Sequence, residues 1–211
     1  TLAVSLLMSI GTAVLLVFGP SRSLWAGALA VCGLTVSKAS VDYATSGLEN
    51  PLTHLLWVLF LWVFMRDDKH RTVQLTALSA LLVLCRPDAA LLAIPGWLMA
   101  VGPTLRRREA WFSVLLGATP LLLWEAFSLV YYGALIPNTA LAKLGTDVPF
   151  SEVVWQGFAY IGQSLQVDPM TPAWIALGIG LTFNSRSSTH IAAMAGSMLY
   201  LLYVISIGGD F

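Results

Sequence analysis

The stretch WFSVLLGATPLLLWEAFSLV, residues 111–130, contains a single ionisable side chain, Glu125. Roughly 20 residues of helix, at 1.5 Å each, span the hydrocarbon of a bilayer. A helix apolar on every side has no face to offer water, so it must lie in lipid or deep inside protein. Seven further apolar blocks run at about 1–18, 24–37, 51–65, 72–85, 89–102, 173–183 and 189–207. Only 10% of the 211 residues are charged, against about a quarter in ordinary soluble domains, and mean hydropathy is +0.78. The blocks therefore predict an all-α, polytopic transmembrane bundle with about eight membrane segments.

The formal net charge is zero, which gives a nucleic-acid partner no electrostatic support. Cys32 and Cys85 both lie in apolar blocks, where neither a disulfide nor a metal-ligand spacing is expected. The chain starts at Thr1 inside an apolar run and stops just after SIGGD, so it reads as an internal piece of a longer protein.

Two of the blocks, 72–85 and 89–102, are short for separate spans and together too long for one helix. They meet at Arg86-Pro87, which predicts a broken hairpin with its apex below the membrane surface. Irregular backbone survives at that depth only inside protein or along a wet cavity. If all eight blocks cross, Arg22, RDDKHR (66–71), LRRRE (105–109) and NSRSS (184–188) share one side. The bias of Lys and Arg toward cytoplasmic loops makes that side the cytoplasm. KASVDYATSGLENP (38–51), CRPD (85–88), YYGALIPNTALAK (131–143) and GGDF (208–211) then gather on the outer face. Between them, SEVVWQGFAYIGQSL (151–165) puts Val154, Phe158, Ile161 and Leu165 at helical spacing. This suits either a helix in the outer interface or one packed on the bundle.

Charges near membrane depth are costly and usually face a cavity or a partner. Arg86 and Asp88 are read either as a phosphate-binding cation with its orienting acid, or as a pair capping two half-helices. Glu125, roughly 9 Å deep at 1.5 Å per residue, is read as a structural support that holds Arg86 or Lys143, or is protonated in a polar pocket. Ser46 and Glu49 have capping-box spacing before Pro51, and Glu49 equally suits work on a sugar. Asp42 and Tyr43 precede them in the same connection. Gly133 and Pro137 supply turn chemistry, Asn138-Thr139 can start a helix, and Lys143 is either an interfacial anchor or part of the site. Behind two glycines, Asp210 is a candidate base or sugar ligand, or part of a simple turn. His54 is read as a polar residue inside a helix, and His70 and His190 as inner-face surface.

SGLENP, CRPDAALL, YYGALIPNTALAK and GGDF, in this order on one face, resemble the bacterial polytopic glycosyltransferases of the C-type (GT-C) fold. The similarity is greatest to the arabinofuranosyltransferase-like branch, which uses polyprenyl-phosphate sugars. There a TGLET-like loop, an RPE or RPD hairpin, a YYG-x-x-x-PNT-x-x-AK loop and a GGD-x-M motif recur. The resemblance covers residues 46–211, and the YYG…PNT…AK string is its most specific part.

It implies a transmembrane glycosyltransferase domain over residues 1–211, incomplete at both ends. The implied activity is transfer from a polyprenyl-phosphate sugar to an envelope glycan or glycolipid acceptor at the extracytoplasmic face of the plasma membrane. It implies that Arg86 and Lys143 bind the donor phosphate and that Asp88, Tyr132, Asn138 and Asp42 contact the sugar or its loops. Asp210 and Glu49 remain for catalysis, the principal aspartate being expected in a segment before residue 1. No cofactor is certain, and a divalent cation stays open. Ser46, Asn50 and Asp88 depart from the family pattern, which leaves the sugar undetermined. A transporter or flippase would instead need midplane ionisable groups and paired interrupted helices. A non-catalytic scaffold would leave the outer loops generic.

Overall fold

A computed structural model describes residues 2–20, 23–44, 49–135, 148–185 and 187–209 of the chain. Among them there is no strand, and each of the eight apolar blocks forms a helix. The helices are α1 (Leu2–Phe18), α2 (Leu24–Val36), α3 (Lys38–Ala44), α4 (Asn50–Met65), α5 (Arg71–Cys85), α6 (Ala90–Val101) and α7 (Arg108–Tyr132). After the undescribed 136–147 come α8 (Phe150–Val167), α9 (Met170–Ser185) and α10 (Ser188–Ser206).

Among the described residues, three helical segments are long and apolar enough to cross a membrane: Pro87–Arg106, Arg108–Tyr132 and Ser188–Ser206. The first is α6 extended by 3-10 turns at both ends. A fourth span arises if α2 and α3, bent by 79°, count as one. α1, α4, α5 and α9 are apolar but shorter. The chain is thus an all-α membrane protein, with fewer helices of full spanning length than the eight blocks suggested.

α5 lies at the centre. Leu75 and Leu82 are fully enclosed, packed with Phe60 and Phe64 of α4, Ala93 and Val101 of α6, and Ala192 of α10. α5 is the least apolar of these helices, yet Leu75 and Leu82 are fully enclosed because α4, α6 and α7 cover it. Small residues let the backbones close in, as helices in lipid require when no hydrophobic force drives them together. A Cβ on Gly117 of α7 would stand 2.6 Å from the Val73 carbonyl oxygen of α5. One on Gly196 of α10 would stand 2.4 Å from the carbonyl oxygen of Leu92 in α6. Round this centre the outward surface is greasy, with Trp25, Phe112, Val130 and Trp155 largely uncovered, as lipid-facing side chains are.

Adjacent helices alternate in direction. Thr53 at the start of α4 meets Cys85 at the end of α5, and Thr76 near the start of α5 accepts from Trp97 near the end of α6. The connections carrying Arg66–Arg71 and Arg106–Arg108 therefore lie at one end of the bundle. The hairpin apex at Arg86 lies at the other.

Candidate functional site

α5 stops where it does because Pro87 disfavours helical backbone at the residue before it. Arg86 is accordingly extended (φ −147°, ψ 118°), and a single 3-10 turn, Pro87–Ala89, leads into α6. The broken hairpin expected from sequence is present. The break aims Arg86 and Asp88 at the same space. Nε and Nη2 of Arg86 donate to Oδ1 and Oδ2 of Asp88 at 3.1 and 2.8 Å, a two-pronged pairing. Nη1 donates to Oδ1 of Asn50 at 3.3 Å and lies 3.8 Å from Oε1 of Glu49. The side chains of Arg86 and Asp88 are only 22% and 13% exposed. From α10 the Tyr200 hydroxyl donates to Asp88 Oδ2 at 3.1 Å.

Residues 36 positions apart are joined here because Pro51 sits in the first turn of α4, whose start lies against the end of α5. Glu49 is the cap residue of α4, but its side chain makes no capping bond. The carboxylate is instead turned to Arg86. Ser46, the other half of the anticipated capping box, lies outside the described residues. Among the described residues, one guanidinium faces two carboxylates, which sum formally to −1. By these charges alone the group does not receive an anion; a phosphate needs a further cation or must displace an acid from Arg86.

Asn50 has a second role. It lines a cavity of about 610 Å³ between α2, α3, α4, α9 and α10. Ser37, Tyr43 and Asn50 stand at the Arg86 end; Thr182 and His190 stand at the other, and most of the wall between them is apolar. His54, one helical turn below Asn50, lies inside α4 as read from sequence and also faces this space. His190, exposed as expected for a surface residue, also lines this cavity.

The remaining sequence candidates fall differently. Asp42 sits on α3 and pairs with Lys38, both exposed, so its nearest described partner is a neighbour on its own helix. Glu125 is part-covered on α7, and among the described residues it makes no ion pair; Arg86 is held by Asp88, Glu49 and Asn50 instead. Tyr132 ends α7 at 64% exposure, edge-on to Tyr131, with Gly133 in the left-handed region (φ 69°) closing the helix. It lies at the Arg86 end of the bundle, but no described contact joins it to the cluster. Asn138, Lys143 and Asp210 lie outside the described residues. The glycines before Asp210 are described: Gly208 and Gly209 are both left-handed, and their amides close the end of α10 on Ile205 and Val204. The close approach they permit is to protein, since a Cβ on Gly209 would come within 2.7 Å of the Tyr160 ring.

Sequence reasoning missed Tyr200, an aromatic in an apolar run with nothing local to mark its hydroxyl. It also missed α3, written as loop. Among the described residues no group of three His, Cys, Asp or Glu side chains can hold a metal ion.

Through Asn50 the charged hairpin apex adjoins an apolar cavity in an all-helical membrane protein. The chain is 27% identical, over 81% of its length, to the terminal beta-(1->2)-arabinofuranosyltransferase of Corynebacterium glutamicum. It is 29% identical, over 76% of its length, to the protein of the same name from Mycobacterium tuberculosis. The chain spans 30% and 28% of the lengths of these two relatives. No protein-family model matches, and no solved structure matches. The resemblance read from the loop motifs is thus joined by similarity, below 30% identity, to two proteins named arabinofuranosyltransferases.

Proposed function

We propose that the intact protein is a glycosyltransferase of the bacterial plasma membrane that moves a sugar from a polyprenyl-phosphate donor to an envelope glycan or glycolipid. The basic connections face the cytoplasm on this reading, so the Arg86 end faces outward. The observation that carries the proposal is the double role of Asn50, hydrogen-bonded to Arg86 and lining the cavity. A cation thereby stands at the mouth of an apolar space, the arrangement a lipid phosphate requires. Arabinofuranose, the sugar in the relatives' names, is the first donor to try.

In the reaction the bond from the sugar's anomeric carbon to the phosphate oxygen breaks, and its electron pair leaves with polyprenyl phosphate. A bond forms from the same carbon to an acceptor hydroxyl, whose proton passes to a carboxylate. Charge grows on the departing phosphate, where fixed cations are worth most. Arg86 and Lys143 take that role, the second adding positive charge to the −1 of the described Arg86, Asp88 and Glu49. Asp88 holds Arg86, and Tyr132, Asn138 and Asp42 border the sugar. Asp210 and Glu49 are this chain's candidate bases, and the greater length of the relatives leaves room for another.

The test uses the intact protein in nanodiscs with a polyprenyl-phosphate arabinose. Arg86→Gln and Lys143→Ala should each weaken donor binding about tenfold or more, as expected for one lost charge-assisted contact, while helix content is unchanged. If both variants bind and turn over like wild type, those cations are anchors. The reading then passes to a transporter or flippase, which the end-to-end extent of the cavity would also suit.

A further inference from the structure

Asp168 was not among the residues singled out from sequence, yet it is one of the few buried polar side chains, at 9% exposure. It follows α8 directly, and its Oδ1 accepts the Thr171 amide at 3.2 Å, capping the start of α9. Its Oδ2 reaches a different helix. It accepts the Ala39 amide at 3.1 Å and the Thr171 hydroxyl at 2.8 Å, and lies 3.2 Å from the Ser37 hydroxyl. Ser37 is where α2 stops and the chain turns by 79° into α3. Its own hydroxyl accepts the Ser40 amide at 3.3 Å. The first amides of α3 are thus satisfied by one local hydroxyl and by a carboxylate 129 residues away in sequence.

The bond pattern suits an ionised acid, whose two oxygens accept from two amides and from hydroxyls. Ser37 Oγ, Thr171 Oγ1 and Asp168 Oδ2 stand 2.7–3.2 Å apart and share two hydroxyl protons, while an amide proton enters from Ala39. Asparagine has the same shape but must turn its NH₂ either toward the Thr171 amide or toward the Ala39 amide. Each choice sets donor against donor.

What this junction holds is the rim of the cavity. Ser37, Ala39, Ser40 and Tyr43 line the mouth from α3, and Thr171 and Trp174 line it from α9. We infer that Asp168 is a positioning residue, one buried carboxylate that starts two helices and so fixes α3, with Tyr43, as the rim over the ligand. The fixing stands on geometry alone; that the ligand is the sugar-phosphate end of a lipid donor rests on the function proposed above.

The experiment is Asp168→Asn in the intact protein, read in two ways. Hydrogen exchange by mass spectrometry should show amides 38–44 exchanging about tenfold faster, with 71–85 unchanged. Donor KM should rise about tenfold with kcat per folded molecule within about twofold, and Tyr43→Ala should give a rise that does not add to it. Should Asp168→Asn fail to fold, Ser37→Ala, which keeps the carboxylate, is expected to show the same pattern at smaller size. Unchanged exchange at 38–44 overturns the inference whatever the activity. Faster exchange with unchanged KM reduces Asp168 to a fastening and overturns its part in ligand positioning. A wild type that transfers no arabinose strikes the proposed function, while the exchange arm still decides the positioning.

Discussion

Two polar clusters sit at the Arg86 end of the bundle. At the hairpin apex, Arg86, Asp88 and Glu49 carry charge of both signs, and Asn50 and Tyr200 complete their bonds. At the junction of α8 and α9, one carboxylate is met by amide and hydroxyl donors from three residues. The first arrangement can be rewired, because an incoming anion competes with the acids for the same guanidinium. The second cannot, because no ligand replaces two amides at fixed points of two helices. A site that must take up and release a charged substrate wants both: a pliable centre and a stiff rim.

The largest expected effect breaks the apex. Arg86→Ala strands Asp88 and Glu49 without their cation. Given the partial exposure of the pair, this should cost about 2–3 kcal/mol in unfolding of the intact protein in detergent. The double variant Arg86→Gln with Asp88→Asn removes the buried pair together and leaves only the half-exposed Glu49 without its cation, so it should recover most of the stability while transfer stays lost. A double variant as unstable as the single would mean that packing, and not charge balance, holds the apex.

Gly157 links the clusters. It lies in α8, which ends immediately before Asp168, and it touches α10, which bears Tyr200. A Cβ there would stand 2.3 Å from the Ile205 carbonyl oxygen and 2.7 Å from the Ile205 Cα. Backbone cannot rotate away, so Gly157→Ala should cost about 1–3 kcal/mol, with exchange rising at both the α3 amides and the hairpin. A change confined to one cluster would show that the two are independent.

The stiff cluster also has its own pH signature. Chiefly the Ala39 amide, with the Thr171 and Ser37 donors, holds the Asp168 carboxyl at about 2 against the ordinary 3.8, although burial pushes the other way. The unfolded chain therefore binds this proton more readily than the folded one. Its contribution is complete above about pH 4 and is lost as pH falls from there through about 2. Lys38, paired with Asp42, is a cation whose field reaches the group. Thermal midpoints of wild type and Asp168→Asn should differ by a constant amount from pH 5 to 8 and converge toward pH 2. A gap that persists at pH 2 would put the effect of the variant in shape rather than in the carboxylate.

The difference between the clusters also explains what sequence could show. Blocks of apolar residues became helices because their solvent preference is spread over many side chains, so no single contact decides them. Arg86-Pro87 was legible as a break because the rule on residues before proline is local. Half of the Asp168 cluster was equally local: Asp168-Pro169 with Thr171 three residues on is a helix start written in four residues. Its other half was not. KASVDYA reads as a polar loop, and its turn into α3 is held in part by an acceptor from a distant segment. Tyr200 and His54 were opaque for the same reason, since each matters through what faces it across the bundle. The two glycines before Asp210 pack on α8 in the same long-range way, Gly208 against Val153 and Gly209 against Tyr160.

The smallest effect tests whether α8 is as finished as it looks. Gly162 lies five residues after Gly157 on the same helix, and a Cβ there would meet nothing within 4 Å. Glycine inside a helix costs about 0.5–1 kcal/mol relative to alanine through the freedom it loses on folding. Gly162→Ala should therefore stabilise the intact protein by that amount, opposite in sign to Gly157→Ala. Trp155 and Phe158 of the same helix are exposed, so a face of α8 is open to lipid or to protein. If lipid covers the Gly162 position, fluid chains make way for a methyl group and the gain appears in full. A loss instead would mean that a close-packed surface of the intact protein, outside these residues, lies against α8. The rim fixed by Asp168 would then be braced from both sides.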